Sequence, residues 1–517
     1  MAKKIGILDY PLVAIDFTPR IPPIKKIKDK TKIDIRYCLV SPFAYVHIYW
    51  NPKEYEVVYE IEEPILTKEE GAAREKIVEA MRSMIDFKEV IEGKDETLFE
   101  YIDKRFKLLA IELGIEITYE SYKKIYYYLA RDFIGFNDIE PLLRDYFVED
   151  IECNGTNSSV YIVHRIFRNL KTNLTFEKNE PLENFVEKLA QRCGKYISYA
   201  QPILDGSLPD GSRVNATYTK DVTSKGPTFT IRKFTKTPWT PPQLISFNTL
   251  SPEMLAYLWI LVQYKMNLLI VGGTASGKTT LLNAIAFFIP PESRVVSIED
   301  TRELNLPRDN WLPSVARSAT GIKGLGEIDM YELLRASFRQ NPDYVIVGEV
   351  RGKEASVLFQ GMASGHSSIA TIHADSIETV IKRLETPPIE LSPTLLNVLD
   401  SMCVMTHAIV KNQETRKLRE IVEIVNINEN DMALTNTPFV WDSSEDKFYF
   451  KKESRLFQKI YHRYGITPEE LLVEFRRRAE ILYRLYQRKI FGFREVQDII
   501  NEYYKKPEEV LAKFQVE

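Results

Sequence analysis

Between Thr67 and Gly135 apolar residues recur at three- and four-residue spacing, in FEYIDKRFKLLAIELGI and SYKKIYYYLARDFIG, which predicts amphipathic helices. From Ile139 to Phe234 the pattern changes. Short β-rich runs, SSVYIVHRIF and GPTFTIRKF, flank one helical stretch, ENFVEKLAQRCGK, an α+β arrangement. TKTPWTPPQL (Thr235 to Leu244) holds three prolines in ten residues and reads as a linker. Beyond it strands and helices alternate, which predicts a parallel sheet. Ser251-Pro252-Glu253 is a helix start, with a capping serine and proline at the first helical position. Near the end, TPFVWDSSEDKFYF reads as a hairpin turning at DSSED, and Thr467-Pro468-Glu469-Glu470 as a capping box opening a helix rich in Arg and Tyr. There is no internal repeat and no low-complexity tract.

At 517 residues the chain has room for about three domains, and 44% apolar with 27% charged residues is the balance of a folded protein. The formal net charge of −4 argues against nucleic acid held by bulk charge. Cys38, Cys153, Cys193 and Cys403 lie far apart with no Cys-x-x-Cys pair, so neither a zinc ribbon nor a disulfide framework is indicated, and a reducing interior fits. The longest apolar stretch, Met254 to Gly273, is broken by Gln263, Lys265 and Asn267 and reads as a buried helix followed by a buried strand rather than a membrane span. The start, MAKKIGILDYPLV, is interrupted by Asp9 and no small-residue cleavage site follows, so a cytoplasmic protein is expected. RIPPIKKIKDKTKIDIR concentrates Arg20, Lys25, Lys26, Lys28, Lys30, Lys32 and Arg36, a basic arm over residues 1–36 that is either a solvated linker or a contact for an anionic membrane surface.

Gly272-Gly273-Thr274-Ala275-Ser276-Gly277-Lys278-Thr279 matches the P-loop pattern in full, with the strand LLIV before it and the helix TTLLNAIAFF after it. Glycines let backbone N–H groups turn inward around phosphates, and the helix N-terminus adds its dipole. Lys278 is expected to neutralise the β- and γ-phosphates and Thr279 to offer its hydroxyl to Mg²⁺; Thr280 completes the candidate nucleotide contacts. In an open parallel sheet ligands sit beyond the carboxyl ends of the strands. Three later runs end in groups that fit this rule: RVVSIED in Glu299 and Asp300, DYVIVGE in Glu349, and SSIATIH in His373. Chemistry alone divides Glu299 and Glu349 between activating water and holding Mg²⁺, without saying which does which. The Asn/Thr-Lys-x-Asp signature that reads guanine is missing from the strand ends after the loop, which favours ATP.

Together these residues resemble the secretion-ATPase superfamily, the hexameric motors of type II and type IV secretion, type IV pili and archaella. The resemblance runs from about Asn137 to Asn426 in five blocks. IEPLLRDYFVEDIECNG and ILDGSLPDGSRVNA are similar to its N-terminal domain, IEDTRE to its Asp box, RQNPDYVIVGEVRG to its Walker B block and ASGHSSIATIHADS to its His box. The resemblance implies Glu299 as catalytic base, Glu349 as the acid positioning Mg²⁺ and water, His366 and His373 as sensors of the nucleotide, and Arg213 and Arg232 as arginines presented to phosphates. It implies an α/β fold: a RecA-like P-loop ATPase core with a mostly parallel sheet over 245–425, preceded by a helical then α+β N-terminal domain over 37–234 and a linker at 235–244, and followed by a hairpin and helical extension over 426–517. It further implies ATP and Mg²⁺, a homohexamer on the inner face of the cell membrane, a polytopic membrane platform protein and other cytoplasmic subunits of a filament machinery. A four-cysteine zinc module is absent, and the Asp box reads Asp-Thr-Arg-Glu where pilus retraction motors have proline after the aspartate. Both departures look archaeal, nearest to the archaellum motor ATPase, with adhesion-pilus and type IV secretion ATPases as alternatives and a nucleic-acid translocase as the rival from another class.

Overall fold

A computed structural model of the chain describes residues 6–18, 27, 29–84, 97–234, 236–317, 326–410, 413–427, 433–451 and 453–516. The chain divides into two compact units, Met1–Phe234 and Thr235–Glu517.

The first unit begins with a three-stranded meander, β1 (Asp34–Val40), β2 (Ala44–Asn51) and β3 (Glu56–Glu62). Helices α1 (Lys68–Met84), α2 (Leu98–Glu112) and α3 (Tyr119–Phe133) follow, where helical spacing was read. Then come α4 (Glu140–Arg144), β4 (Val148–Cys153), β5 (Ser159–His164), β6 (Arg168–Thr175), α5 (Asn179–Arg192), β7 (Ile203–Ser207), β8 (Arg213–Thr217) and β9 (Thr228–Arg232). The strands form one sheet in the order β1-β2-β3-β6-β5-β4-β9-β8-β7. One face is apolar: Val46, Ile48, Ile151, Ile162, Val214 and Ile231 are buried with Leu182, Val186 and Leu189 of α5. The alternation of a half-buried sheet sends Asp150, Glu152, Arg213 and Arg232 to the other face.

The expectation of an arm over residues 1–36 needs correction. Asp34, Ile35 and Arg36 belong to β1, and Ile7, Tyr10, Val13 and Ile15 pack against the helical cluster around Phe106 and Tyr122. Tyr10 is held at both ends, its hydroxyl donating to the Ile117 carbonyl at 3.1 Å and its carbonyl accepting from the Lys107 ammonium at 2.7 Å. Of the seven basic residues on which the arm reading rested, Arg20, Lys25, Lys26 and Lys28 lie outside the described residues, while Lys30 and Lys32 form a short turn before β1 and Arg36 belongs to β1.

The second unit opens with α6 (Pro241–Ser246) and α7 (Pro252–Gln263). Part of the expected linker is therefore a folded helix. Pro241 and Pro242 take its first two positions, where no N–H is needed, and Gln243 accepts the Thr240 backbone N–H at 2.9 Å. Both prolines and Leu244 are buried. Next come β10 (Leu268–Gly272), α8 (Lys278–Ala286), β11 (Val295–Glu299), β12 (Trp311–Val315), α9 (Met330–Ser337), β13 (Tyr344–Val350), α10 (Glu354–Ala363), β14 (Ser367–His373), α11 (Ile377–Glu385) and α12 (Pro393–Leu396). The unit ends with β15 (Ser401–Val410), β16 (Gln413–Ile427), β17 (Ala433–Asp442), β18 (Lys447–Phe450), α13 (Arg455–Tyr464), α14 (Pro468–Gln487), α15 (Phe493–Lys505) and α16 (Pro507–Phe514).

Its sheet runs β12-β11-β13-β14-β10-β15-β16-β17-β18, parallel from β12 to β15 and antiparallel from β15 onward. Both faces are covered. Leu268, Ile270, Val295 and Ile346 face one apolar layer, and Leu269, Val271, Val296 and Val347 face the other, which accounts for the continuous apolar runs of these strands. The membrane-like stretch is interior: Met254 to Val262 are buried on every side of α7. Among the described residues no helix is long and apolar enough to cross a membrane. The segment past residue 426, expected as an extension, continues the same sheet and core, since Leu456, Ile481, Ile500 and Phe514 share an apolar cluster with Trp259 and Phe288.

Glu423 of β16 shows how that closing layer is fixed. Its fully buried carboxylate accepts from the Tyr257 hydroxyl (2.6 Å), the Asn436 amide (2.7 Å), the Arg455 backbone N–H (2.8 Å) and Ser454, the residue capping α13. Glu423→Leu keeps the volume and orphans these donors. A loss of about 3–5 kcal/mol is expected in urea unfolding; a loss below about 1 kcal/mol would show that the network does not hold the layer.

Candidate functional site

The loop from Gly272 to Thr279 joins β10 to α8, as read from the motif. Close approach of backbone fixes the residue types. A Cβ on Gly272 would lie 2.4 Å from Ser276 Oγ and 2.7 Å from the Met405 carbonyl, and Gly277, which caps α8, sits at φ +96° in the left-handed region. The Ser276 hydroxyl and the Lys278 ammonium both donate to the Gly273 carbonyl at 2.9 Å. Burial holds the Lys278 ammonium below its usual pKa, against the opposing pull of the Glu349 carboxylate.

Sheet register assembles the rest. Gly272 pairs with His373 of β14, and Ile298 pairs with Val347 of β13, so the tips of β10, β11, β13 and β14 share one edge. Glu299 closes β11 and is buried, with Oε1 accepting backbone N–H groups of Glu303 and Leu304 at 2.8 Å each. Its Oε2 is buried with no hydrogen-bond partner. Burial raises this carboxyl to about 7, although the two N–H groups favour the ionised form. Gly348 makes room for it: a Cβ there would stand 3.1 Å from Glu299 Cγ.

The β13/β14 register is irregular between Val347 and Val350, which re-aims Glu349 at the sheet edge. The Thr371 hydroxyl pins this irregularity by donating to the Gly348 carbonyl at 2.6 Å. Burial pushes the Glu349 carboxyl up, but Arg351, donating to Glu349 at 2.6 Å, with Lys278 and His373 brings it below the usual range. His373 Nε2 meets Thr274 Oγ1 at 2.7 Å, tying the β14 tip to the loop, and Arg383 donates to the His373 carbonyl at 2.7 Å.

Not every candidate joins this edge. His366 precedes β14, after the left-handed turn at Gly365, so it stands at the opposite end of the parallel strands, about 20 Å from the loop at ~3.3 Å per residue. Its partners are Ser364, 3.2 Å away, and the Phe338 ring. The structure thus places His366 away from the loop where a nucleotide contact was expected.

Arg213 and Arg232 belong to the first unit. They are direct cross-strand partners on β8 and β9 and leave the same sheet face. Two adjacent guanidinium groups repel. Asp205 bonds Arg213 at 3.0 Å and Asp150 bonds Arg232 at 3.3 Å.

The motif reading overlooked Arg351 and Asp375. Asp375 Oδ1 would lie 3.2 Å from a Cβ on Gly273, which brings a third carboxylate to the loop. Both residues sit within two positions of candidates that were named, and that adjacency was the available signal. Among the described residues no cluster of three or more His, Cys, Asp or Glu is suited to a metal ion. The donors at the edge, a threonine hydroxyl, an ionised Glu349 and whatever oxygens a phosphate brings, fit a hard cation such as Mg²⁺, which takes few protein ligands.

The chain is 36% identical to Uncharacterized protein MJ0900 of Methanocaldococcus jannaschii, over 93% of this chain and 91% of that one. It is 30% identical to a probable conjugal transfer protein TrbB of Sinorhizobium fredii, over 47% of this chain and 73% of that one. Among solved structures, the Legionella pneumophila ATPase DotB aligns at a TM-score of 0.38 and 17% identity, covering 72% of this chain and 92% of that one. The pilus retraction motor PilT with bound ADP aligns at 0.35 and 15%, covering 68% and 93%. At such scores neither structure carries an argument about this chain. Residues 135–440, more than half of the chain, match the family model described as Type II/IV secretion system protein. On that match the chain belongs to the type II/IV secretion system protein family.

Proposed function

We propose that the protein is an ATP-hydrolysing motor that powers a type IV pilus-like surface filament, an archaellum in the finer reading, working as a homohexamer against a polytopic membrane platform protein on the inner face of the cell membrane. The observation that carries the catalytic part is the shared sheet edge, where Lys278 and Thr279 follow β10, Glu299 ends β11 and Glu349 stands at the last-but-one position of β13. Family membership supports the hexamer, the platform, the other cytoplasmic subunits and the filament role.

In this reading the loop N–H groups, from Gly273 to Thr280, cradle the phosphates and Lys278 neutralises the charge between β and γ. Thr279 and Glu349 are the residues that would hold Mg²⁺, and the ion when bound would supply charge neutralisation at the phosphate oxygens. Glu299 takes a proton from water as the water oxygen bonds to the γ-phosphorus and the bond from that phosphorus to the β–γ bridging oxygen breaks, ADP leaving with the electron pair; a carboxyl raised to about 7 is matched to that task near neutral pH. His373, bonded to Thr274, links the state of the loop to the tip of β14. Arg213 and Arg232 stabilise charge on the transferring phosphoryl, for which they must leave Asp205 and Asp150. Both arginine side chains are substantially exposed, so these ion pairs cost little to break.

Arg213→Ala is expected to leave ATP affinity within about threefold while cutting kcat by about 10²-fold or more. Isothermal titration beside a phosphate-release assay separates the two, and equal loss of both would refute the arginine role. The filament reading is tested by steady-state ATPase rates of the purified chain with anionic lipid vesicles against single-stranded DNA. Stimulation by vesicles is expected. Stimulation by DNA alone would favour a nucleic-acid translocase.

A further inference from the structure

Arg351 directly follows β13 and binds the carboxylate assigned above to the metal. Its guanidinium donates to Glu349 Oε2 at 2.6 Å, although the arginine side chain is 62% exposed. The backbone beneath it is pinned. The N–H groups of Arg351 and Gly352 both donate to Glu354 Oε1, at 2.6 and 2.7 Å, at the first position of α10. A fixed backbone under a long, exposed side chain lets the guanidinium exchange partners while the strand stays in place, and an ion pair this exposed costs little to break.

A second set of acceptors stands beside the first. Ile298 of β11 pairs with Val347 of β13, and a Cβ on Gly348 would lie 3.1 Å from Glu299 Cγ. Continued by one residue, that register brings Asp300 level with Glu349 on the neighbouring strand, and adjacent strands lie about 4.8 Å apart. The bond to Glu349 does most to raise the Arg351 guanidinium above its usual pKa, and the Asp300 and Glu303 carboxylates add to that pull. Glu303 also donates its backbone N–H to Glu299 Oε1 at 2.8 Å, so its turn helps to hold the base.

One carboxylate serves two cations poorly. Mg²⁺ takes carboxylate oxygens at about 2.1 Å in a near-octahedral shell. A guanidinium left on the same carboxylate would stand about 4–5 Å from a dication and be repelled by it.

We propose that Arg351 is a positioning residue that competes with Mg²⁺ for the Glu349 carboxylate, and that the displaced guanidinium moves to the Asp300 and Glu303 side, where it steadies the turn that holds Glu299. Metal occupancy and the placement of the base are thereby coupled. The proposal rests on the reading of Glu349 as the metal-holding acid of a nucleotide site, and the experiment separates the two.

Paramagnetic resonance of Mn²⁺ titrated into the full-length chain saturated with ADP reads metal binding without turnover. Arg351→Ala is expected to lower the half-saturating Mn²⁺ concentration about three- to tenfold, with metal-free ADP affinity within about threefold and Arg351→Lys near the parent's value. In a Glu349→Gln background Arg351→Ala should change that concentration by less than about twofold, because the contested carboxylate is gone. Glu303→Gln is expected to raise it, and to do so far less once Arg351 is alanine. An unchanged or raised metal requirement in Arg351→Ala overturns the competition, and so does a loss of metal-free ADP affinity beyond about tenfold, which would make Arg351 a phosphate contact. An equal effect of Glu303→Gln with and without Arg351 overturns the move to that side. Failure of Glu349→Gln alone to raise the metal requirement overturns the reading of Glu349 and the proposal with it.

Discussion

Lys278→Ala is expected to abolish ATP hydrolysis. The ammonium sits at the first position of α8, half-buried, and already donates to a carbonyl of its own loop. A unit charge about 4 Å from a phosphate oxygen at an effective dielectric near 20 is worth about 4 kcal/mol, or about 10³-fold in rate, if it acts mainly on the transition state. Alanine keeps the helix, since it is the best helix former, so a folded and inactive protein should result. Parallel phosphate-release assays and circular dichroism on both proteins check this. Turnover at the parent's speed by a folded Lys278→Ala protein would end the ATPase proposal.

Glu299→Gln should separate binding from chemistry. Gln keeps the shape and the Oε1 acceptor for the Glu303 and Leu304 N–H groups, and it loses the basic carboxylate. A fall of about 10²–10⁴-fold in kcat with ATP affinity within about threefold is expected. The parent's pH profile supplies a second signature. Burial raises the carboxyl to about 7, the competent base is its ionised form, and the protonated form grows as pH drops through that value. The acidic limb of kcat/KM should therefore fall near pH 7, and it should be missing from whatever rate Glu299→Gln retains. An acidic limb near 4 in the parent would mean that another group takes the proton. If Glu349 is the metal-holding acid instead, Glu349→Gln should raise the Mg²⁺ concentration needed for half-maximal rate far more than Glu299→Gln does.

Legibility differed between parts of the chain for physical reasons. The phosphate loop could be read because close contacts restrict the residues at Gly272 and Gly277, and such restrictions leave a local spelling. The strands of the second sheet could be read because both faces are covered, so Leu268 to Val271 and Val295 to Ile298 are continuously apolar. Strands β1 to β3 escaped notice. One face carries Asp34, Arg36, His47 and Glu62, and the charges at Asp34 and Arg36 merge with the lysine-rich run before them. Proline misled in the other direction: Pro241 and Pro242 suggested a linker, but at the first two helical positions their missing N–H groups cost nothing.

Local order along the chain determined the P-loop, the strand-end carboxylates, the capping box at Thr467 and the hairpin, because each depends on residues only a few positions apart. Only the folded sheet decided which of those residues meet. Register puts Gly272 beside His373 and Ile298 beside Val347, an irregular pairing turns Glu349, and burial raises the Glu299 carboxyl. The same register sends His366 to the far edge although it lies seven residues from His373. Parallel strands carry groups of like chemistry to opposite ends of a layer, and that separation is a property of three-dimensional pairing which spacing along the chain does not contain.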